Sequence, residues 1–167
     1  MKNINLKSIL IAVFVLIAST KSYSQISKAE IIATGLTCSM CSNAINKQLK
    51  KMTEVDSVAT DLNTNTFTVY LKKENDLSPK AFKESVEKAG FFVGFLAVTI
   101  KSDQLKTNPN YIAVDAVEHK NGDEAVVRIL DKGYVTDKEY KKLLKVYSKN
   151  PTFATENEDN FHIKLLN

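Results

Sequence analysis

No tryptophan occurs in the 167 residues, and cysteine, histidine and proline are nearly as scarce, with two, two and three copies. Two cysteines allow one disulfide at most, so the chain is not a disulfide-built scaffold. The two histidines, His119 and His162, lie far apart with no partner at ligand spacing, and both read as surface residues rather than metal ligands. Five glycines and three prolines leave no low-complexity stretch and no repeat. No Ser-His-Asp set or carboxylate pair stands in a recognisable catalytic context, so the chain does not read as an enzyme. Charge of one sign is also missing. The formal net charge is +4, and three of the positive charges, Lys2, Lys7 and Lys21, precede Ser24, where there are no acids. Without that segment the balance is +1, which gives no argument for a nucleic-acid partner.

Residues 1–24 read as a secretory signal peptide. Lys2 and Lys7 form its positive start, and residues 9–18 are an unbroken apolar run, short for a membrane span. Ser22 and Ser24 are the small residues a signal peptidase reads, which puts cleavage after Ser24. An exported protein follows, periplasmic or secreted, with no membrane insertion after cleavage.

The two cysteines are Cys38 and Cys41, inside Gly35-Leu36-Thr37-Cys38-Ser39-Met40-Cys41. An apolar strand ends just before them, at 31–34. A helix follows over 42–52, with Ile45, Leu49 and Met52 at helical spacing. Cys38 should therefore sit in the loop and Cys41 in the first turn. A helix start offers unpaired N–H groups and a partial positive charge, and both favour thiolate. Two thiolates at this spacing can reach one soft ion. They are too few for a closed structural zinc site, which uses four ligands. Met40 could add a thioether, and Thr37 is placed to hydrogen-bond within the loop. A redox or structural pair is the alternative, since exported cysteines usually pair.

Further along, 55–61 and 66–71 read as strands around an Asn-rich turn at 62–65. Ser78-Pro79 opens a second helix with Phe82, Val86 and Ala89 on its buried stripe, and Gly90 stops it. A fourth strand spans 92–100. The order strand, helix, strand, strand, helix, strand is α+β and ferredoxin-like: a four-stranded antiparallel sheet with two helices on one face.

Residues 103–110 read as a polar connector. Beyond it come a strand at 111–118, a hairpin turn at His119-Lys120-Asn121-Gly122 and a strand at 125–130. A helix opened by the capping box Thr136-Asp137-Lys138-Glu139 follows, and a strand from Phe161 closes the set. The domain division is thus 1–24 signal peptide, 25–101 metal-binding domain, and 102–167 a small ββαβ unit. The last is marginal for independent stability and should pack on the first domain or a partner. Lys138, Lys141, Lys142, Lys145 and Lys149 on its helix read as a solvated face.

Over about residues 28–100 the chain resembles the heavy-metal-associated (HMA) domain family, whose motif Gly-Met-Thr-Cys-x-x-Cys reads here Gly35-Leu36-Thr37-Cys38-Ser39-Met40-Cys41. Leu36 stands where the family usually has Met. The family includes copper chaperones, metal-binding domains of copper-transporting ATPases and periplasmic mercury-binding proteins. The resemblance implies that Cys38 and Cys41 bind metal and that Leu36 packs beneath the loop. It also implies that Phe91 shields the bound ion from water.

The cargo expected is copper(I), with mercury(II) or zinc(II) open. The partner expected is a metal-transporting or metal-accepting protein, reached by thiolate exchange. The alternatives are a periplasmic thiol-disulfide oxidoreductase using the Cys-x-x-Cys pair, or a metal-responsive sensor in which residues 102–167 do the docking.

Overall fold

The computed structural model describes residues 26–115, 122–155 and 159–166. The signal-peptide reading and the surface placement expected for His119 fall outside them.

Alternation of apolar and polar residues builds the sheet. Strand β1 (Ile26–Thr34) buries Ile26, Ala29, Ile31 and Ala33. Strands β2 (Val55–Asp61) and β3 (Thr66–Leu71) follow the expected bounds. The turn between them is closed by Asp61, whose carboxylate accepts the Asn63 N–H at 2.8 Å. Asn65 completes it in the left-handed region at φ 54°, which an Asn tolerates. Strand β4 (Phe92–Lys101) is the most buried of all, because it lies between β1 and β6 (Glu124–Ile129).

Two helices cover one face. Helix α1 (Ser39–Leu49) begins three residues earlier than the apolar spacing suggested and buries Ser42, Ile45 and Leu49. Helix α2 (Pro79–Lys88) starts behind Ser78 with Pro79 in its first turn and buries Phe82 and Val86. These residues meet Ile31, Phe67, Val69, Leu96 and Val98 of the sheet in one core. Burying a side chain of this size gains roughly 1.5–3 kcal/mol each. The first part of the chain is thus the ferredoxin-like sandwich, with sheet order β2-β3-β1-β4.

The later residues depart from expectation in three ways. The polar connector contains a short helix, α3 (Ser102–Thr107), held by Asp103 in its first turn and by Leu105, which reaches the core. The strand at 111 is short, β5 (Tyr111–Ala113), and does not form a hairpin with β6. It runs parallel to β7 (Phe161–Leu166) instead. Strand β6 pairs antiparallel with both β4 and β7. The single sheet therefore has seven strands in the order β2-β3-β1-β4-β6-β7-β5. An Asn-Gly pair is only a local signal, and the exposed edge of β4 offered β6 a larger apolar partner.

Helix α4 (Asp137–Val146) is capped as expected, Thr136 Oγ1 accepting the Glu139 N–H. It lies on the sheet face opposite α1 and α2. Glu139 accepts a 2.8 Å hydrogen bond from Arg128, and Arg128 alternates with the core residues Val127 and Ile129. None of the residues of α4 is fully buried. Tyr140 and Tyr147 lean on Phe153, with ring centroids 6.0 and 5.3 Å away.

The two parts, joined by the β4–β6 ladder, also meet at Gly94. A Cβ there would stand 2.5 Å from Thr34 Cγ2 and 3.5 Å from Thr136 Cγ2. Thr34 ends the strand that leads into the cysteine loop, and Thr136 caps α4.

Candidate metal centre

The cysteine loop is formed where β1 gives way to α1. Gly35 makes the exit from the strand at φ +86°, a conformation other residues avoid. Its neighbour across space is Phe91, with Cδ1 3.9 Å from the position a Cβ would take. Leu36 and Phe91 are partly buried and pack against the core. They anchor the loop from below on two sides.

Cys38 is the N-cap residue of α1, with extended backbone angles, and Cys41 is the third helical residue. The Cys41 N–H bonds the Cys38 carbonyl at 3.1 Å. This tight turn brings the two sulfurs to 3.2 Å of each other. Both thiols are free, Cys38 exposed and Cys41 half-exposed. Two metal–sulfur bonds of about 2.3 Å each span any sulfur separation up to about 4.6 Å, so one ion can engage both.

Electrostatics at the loop favour thiolate. The Cys41 thiol is lowered to about 7, chiefly by the Thr37 backbone N–H and then by the Cys38 side chain, with slight burial opposing. The Thr37 hydroxyl also approaches the Cys41 sulfur, at 4.0 Å. Thr37 thus reaches the sulfur through both main chain and side chain. Met40 stands clear of the loop at 80% exposure. Phe92, the first residue of β4, is 69% exposed at the same end of the sheet.

Among the described residues no third His, Cys, Asp or Glu joins the cysteine pair in a cluster able to hold an ion. The donor set is two soft sulfurs on an open surface. It suits a thiophilic ion that accepts low coordination and leaves room for an incoming ligand.

His162 overturns its sequence reading. It is 1% exposed. Its backbone N–H and its Nδ1 engage the two carboxylate oxygens of Asp131 at 2.7 and 2.6 Å. Nε2 meets Thr152 Oγ1 at 2.9 Å, and Phe153 packs edge-on to the ring at 5.1 Å. Strand β7 alternates as its sequence suggests, but the second face of the sheet is covered by α4 and the 147–155 segment. A histidine on that face is therefore a buried, fully partnered group. Burial raises the Asp131 carboxyl, and the hydrogen bonds from His162 oppose that. A cleft of about 390 Å³ lies nearby between α2 and residues 131–134, lined by Lys83, Glu87, Tyr134 and Phe161 among others. It contains neither cysteine.

Comparison with known proteins places the loop in a family. Residues 30–92 match the family model of the Heavy-metal-associated domain. The yeast copper transporter domain CCC2A is 33% identical over 38% of this chain and 86% of its own, with a TM-score of 0.34. The N-terminal domain of a potential copper-translocating P-type ATPase from Bacillus subtilis is 33% identical over 40% and 82%, with a TM-score of 0.36. The CopZ metallochaperone is 21% identical over 40% and 98%, with a TM-score of 0.37. No curated protein matches the chain. The loop motif, the strand order and the family match coincide on one segment, and residues 30–92 of this chain form a heavy-metal-associated domain.

Proposed function

We propose that this protein is an exported soft-metal carrier or buffer that holds Cu(I) between Cys38 and Cys41. The observation that carries the reading is the pair of free sulfurs 3.2 Å apart on an exposed loop, inside the heavy-metal-associated segment. The yeast relative is a copper transporter domain, and the Bacillus subtilis one is part of a potential copper-translocating ATPase. The chemistry of the donors agrees, since two thiolates select soft ions over Mg or Ca.

Transfer proceeds by ligand exchange. A thiolate or thioether of the accepting protein enters beside the pair, a third bond forms, and one of the original sulfurs leaves. No general base is needed. Thr37 favours the Cys41 thiolate through the backbone N–H, and Phe91 limits water on the inner side of the loop. Export rests on the pattern of residues 1–24.

Anaerobic titration of the reduced protein with Cu(I), Zn(II) and Hg(II), against a competing chelator, tests the assignment. One equivalent of Cu(I) should bind tightly. Failure to compete with the chelator would sink it. Mass spectrometry of the exported protein should find Gln25 at the N-terminus; an intact residue 9–18 run would show an anchor instead.

A further inference from the structure

We propose that the lysine face of α4 is an adsorption surface for anionic phospholipid headgroups. Lys138, Lys141, Lys142, Lys145 and Lys149 are all exposed. At 100° per residue the first four fall within one sector of the helix, opposite the stripe of Tyr140, Leu143, Leu144 and Tyr147 that faces the sheet. Residues 137–149 carry a net +3, while the rest of the chain from residue 25 onward carries −2. The stretch 137–149 is thus net positive while the rest of the chain from residue 25 is net negative.

Helix α2 carries lysines of the paired kind. Its lysines are tied to acids one turn away, Lys83 to Glu87 and Lys88 to Glu84. On α4 the turn-to-turn neighbours are other lysines, at 138 and 142, 141 and 145, and 145 and 149. Like charges at that spacing weaken a helix. Of the two acids in the first turn of α4, Asp137 stands one turn before Lys141 and Glu139 is turned away to Arg128. None of the five lysines has an ion pair among the described residues. The arrangement is unfavourable for the isolated fold and becomes favourable against a negative surface.

The chemistry of the face selects the kind of surface. It contains lysine and no arginine, so it lacks the planar fork that reads individual carboxylates or phosphates. It has no aromatic anchor and no groove, features of the centre of a protein interface. The tyrosines are turned inward, so the helix cannot insert its apolar side into lipid. What remains is a row of flexible point charges along one line, suited to a flat layer of anionic headgroups. The cysteine loop lies at the end of the sheet that α4 starts from, and it stays open when this face is occupied.

Flotation of the full chain with vesicles of phosphatidylglycerol and phosphatidylcholine, against phosphatidylcholine alone, tests this. The triple variant Lys141→Gln/Lys142→Gln/Lys145→Gln serves as the comparison, with circular dichroism and one-to-one Cu(I) uptake as folding checks. Each lysine should contribute roughly fivefold to partitioning, so the triple variant should bind the anionic vesicles about a hundredfold more weakly. Raising salt from roughly 0.1 M to roughly 1 M shortens the screening length from about 10 to about 3 Å and should release the protein. Three arginines in place of the three lysines should restore binding. Partitioning that is equal for both proteins, or that survives salt because the apolar run at 9–18 supplies it, would overturn the proposal. So would binding to polyglutamate with none to anionic vesicles, which would point to an acidic protein instead.

Discussion

The two ends of the seven-stranded sheet are built by different means. Across β2, β3, β1 and β4 the core is made by helices with apolar stripes, and Ile45, Leu49, Phe82 and Val86 have no exposed surface. Across β6, β7 and β5 the opposite face is covered by a helix with no fully buried residue. Aromatic rings and a polar knot, Phe153 with His162, Asp131 and Thr152, do the covering. The first part can hold its shape by hydrophobic burial alone. The second borrows the edge of β4 and secures itself with hydrogen bonds.

The contrast is sharpest at the two sets of reactive groups. The cysteines are accessible and loosely tied, so replacing them should change chemistry and not folding. Cys38→Ser and Cys41→Ser should each abolish tight one-to-one Cu(I) binding, a loss of orders of magnitude by chelator competition, with the melting temperature nearly unchanged. Retention of near-native affinity in either variant would refute the site.

In the two hydrophobic layers the same kind of truncation should have unequal cost. Phe82→Ala empties a fully buried position and should destabilise by about 3–5 kcal/mol. Leu143→Ala, on a half-buried stripe, should cost about 1 kcal/mol. Urea unfolding of both variants checks the ratio, and similar losses would show that α4 is packed as firmly as α2.

Asp131→Ala removes the acceptor for both the backbone N–H and the ring Nδ1 of His162. Leaving those donors buried without a partner should cost about 1–3 kcal/mol. Hydrogen exchange should quicken at β7 and stay unchanged in β1. Equal quickening in both strands would mean that the sheet opens as one unit.

The smallest effect is in the titration of Cys41. Its thiol is lowered to about 7, so the thiolate dominates above that pH and the neutral thiol below it. Alkylation of the metal-free protein should slow as pH falls below about 7 and level off above it. Protons compete with the metal, so Cu(I) affinity should weaken on the same acidic side. Stoichiometric Cu(I) should protect both thiols. Disulfide turnover like that of a thioredoxin, with alkylation indifferent to Cu(I), would favour the oxidoreductase reading.

The sandwich was legible because its signals are local. Alternation along Thr66–Leu71 and the Ser78-Pro79 start each fix an element without reference to the rest of the chain. The cysteine loop was legible for the same reason, since Gly35 and the two cysteines lie within seven residues. The contribution of Thr37 to Cys41 runs mainly through its backbone N–H, which no side-chain motif displays. The later residues were harder to read because their structure is decided at long range. β5 finds β7 some fifty residues on, in parallel, and no turn signal encodes that. His162 looked outward because an alternating strand was assumed to have one wet face. Covering that face required knowing where Phe153 and Thr152 would fall.

Gly94 leaves room at the crossing of the two halves. Thr34, at the end of the strand that feeds the cysteine loop, crowds the space where a side chain at Gly94 would be, and the cap of α4 stands at contact distance beyond it. A bare backbone at this crossing is a condition of compatibility. An alanine would drive the Thr34 side chain aside. One missing methyl group is what lets the last residue before the metal loop keep its place beside the cap of the appended helix.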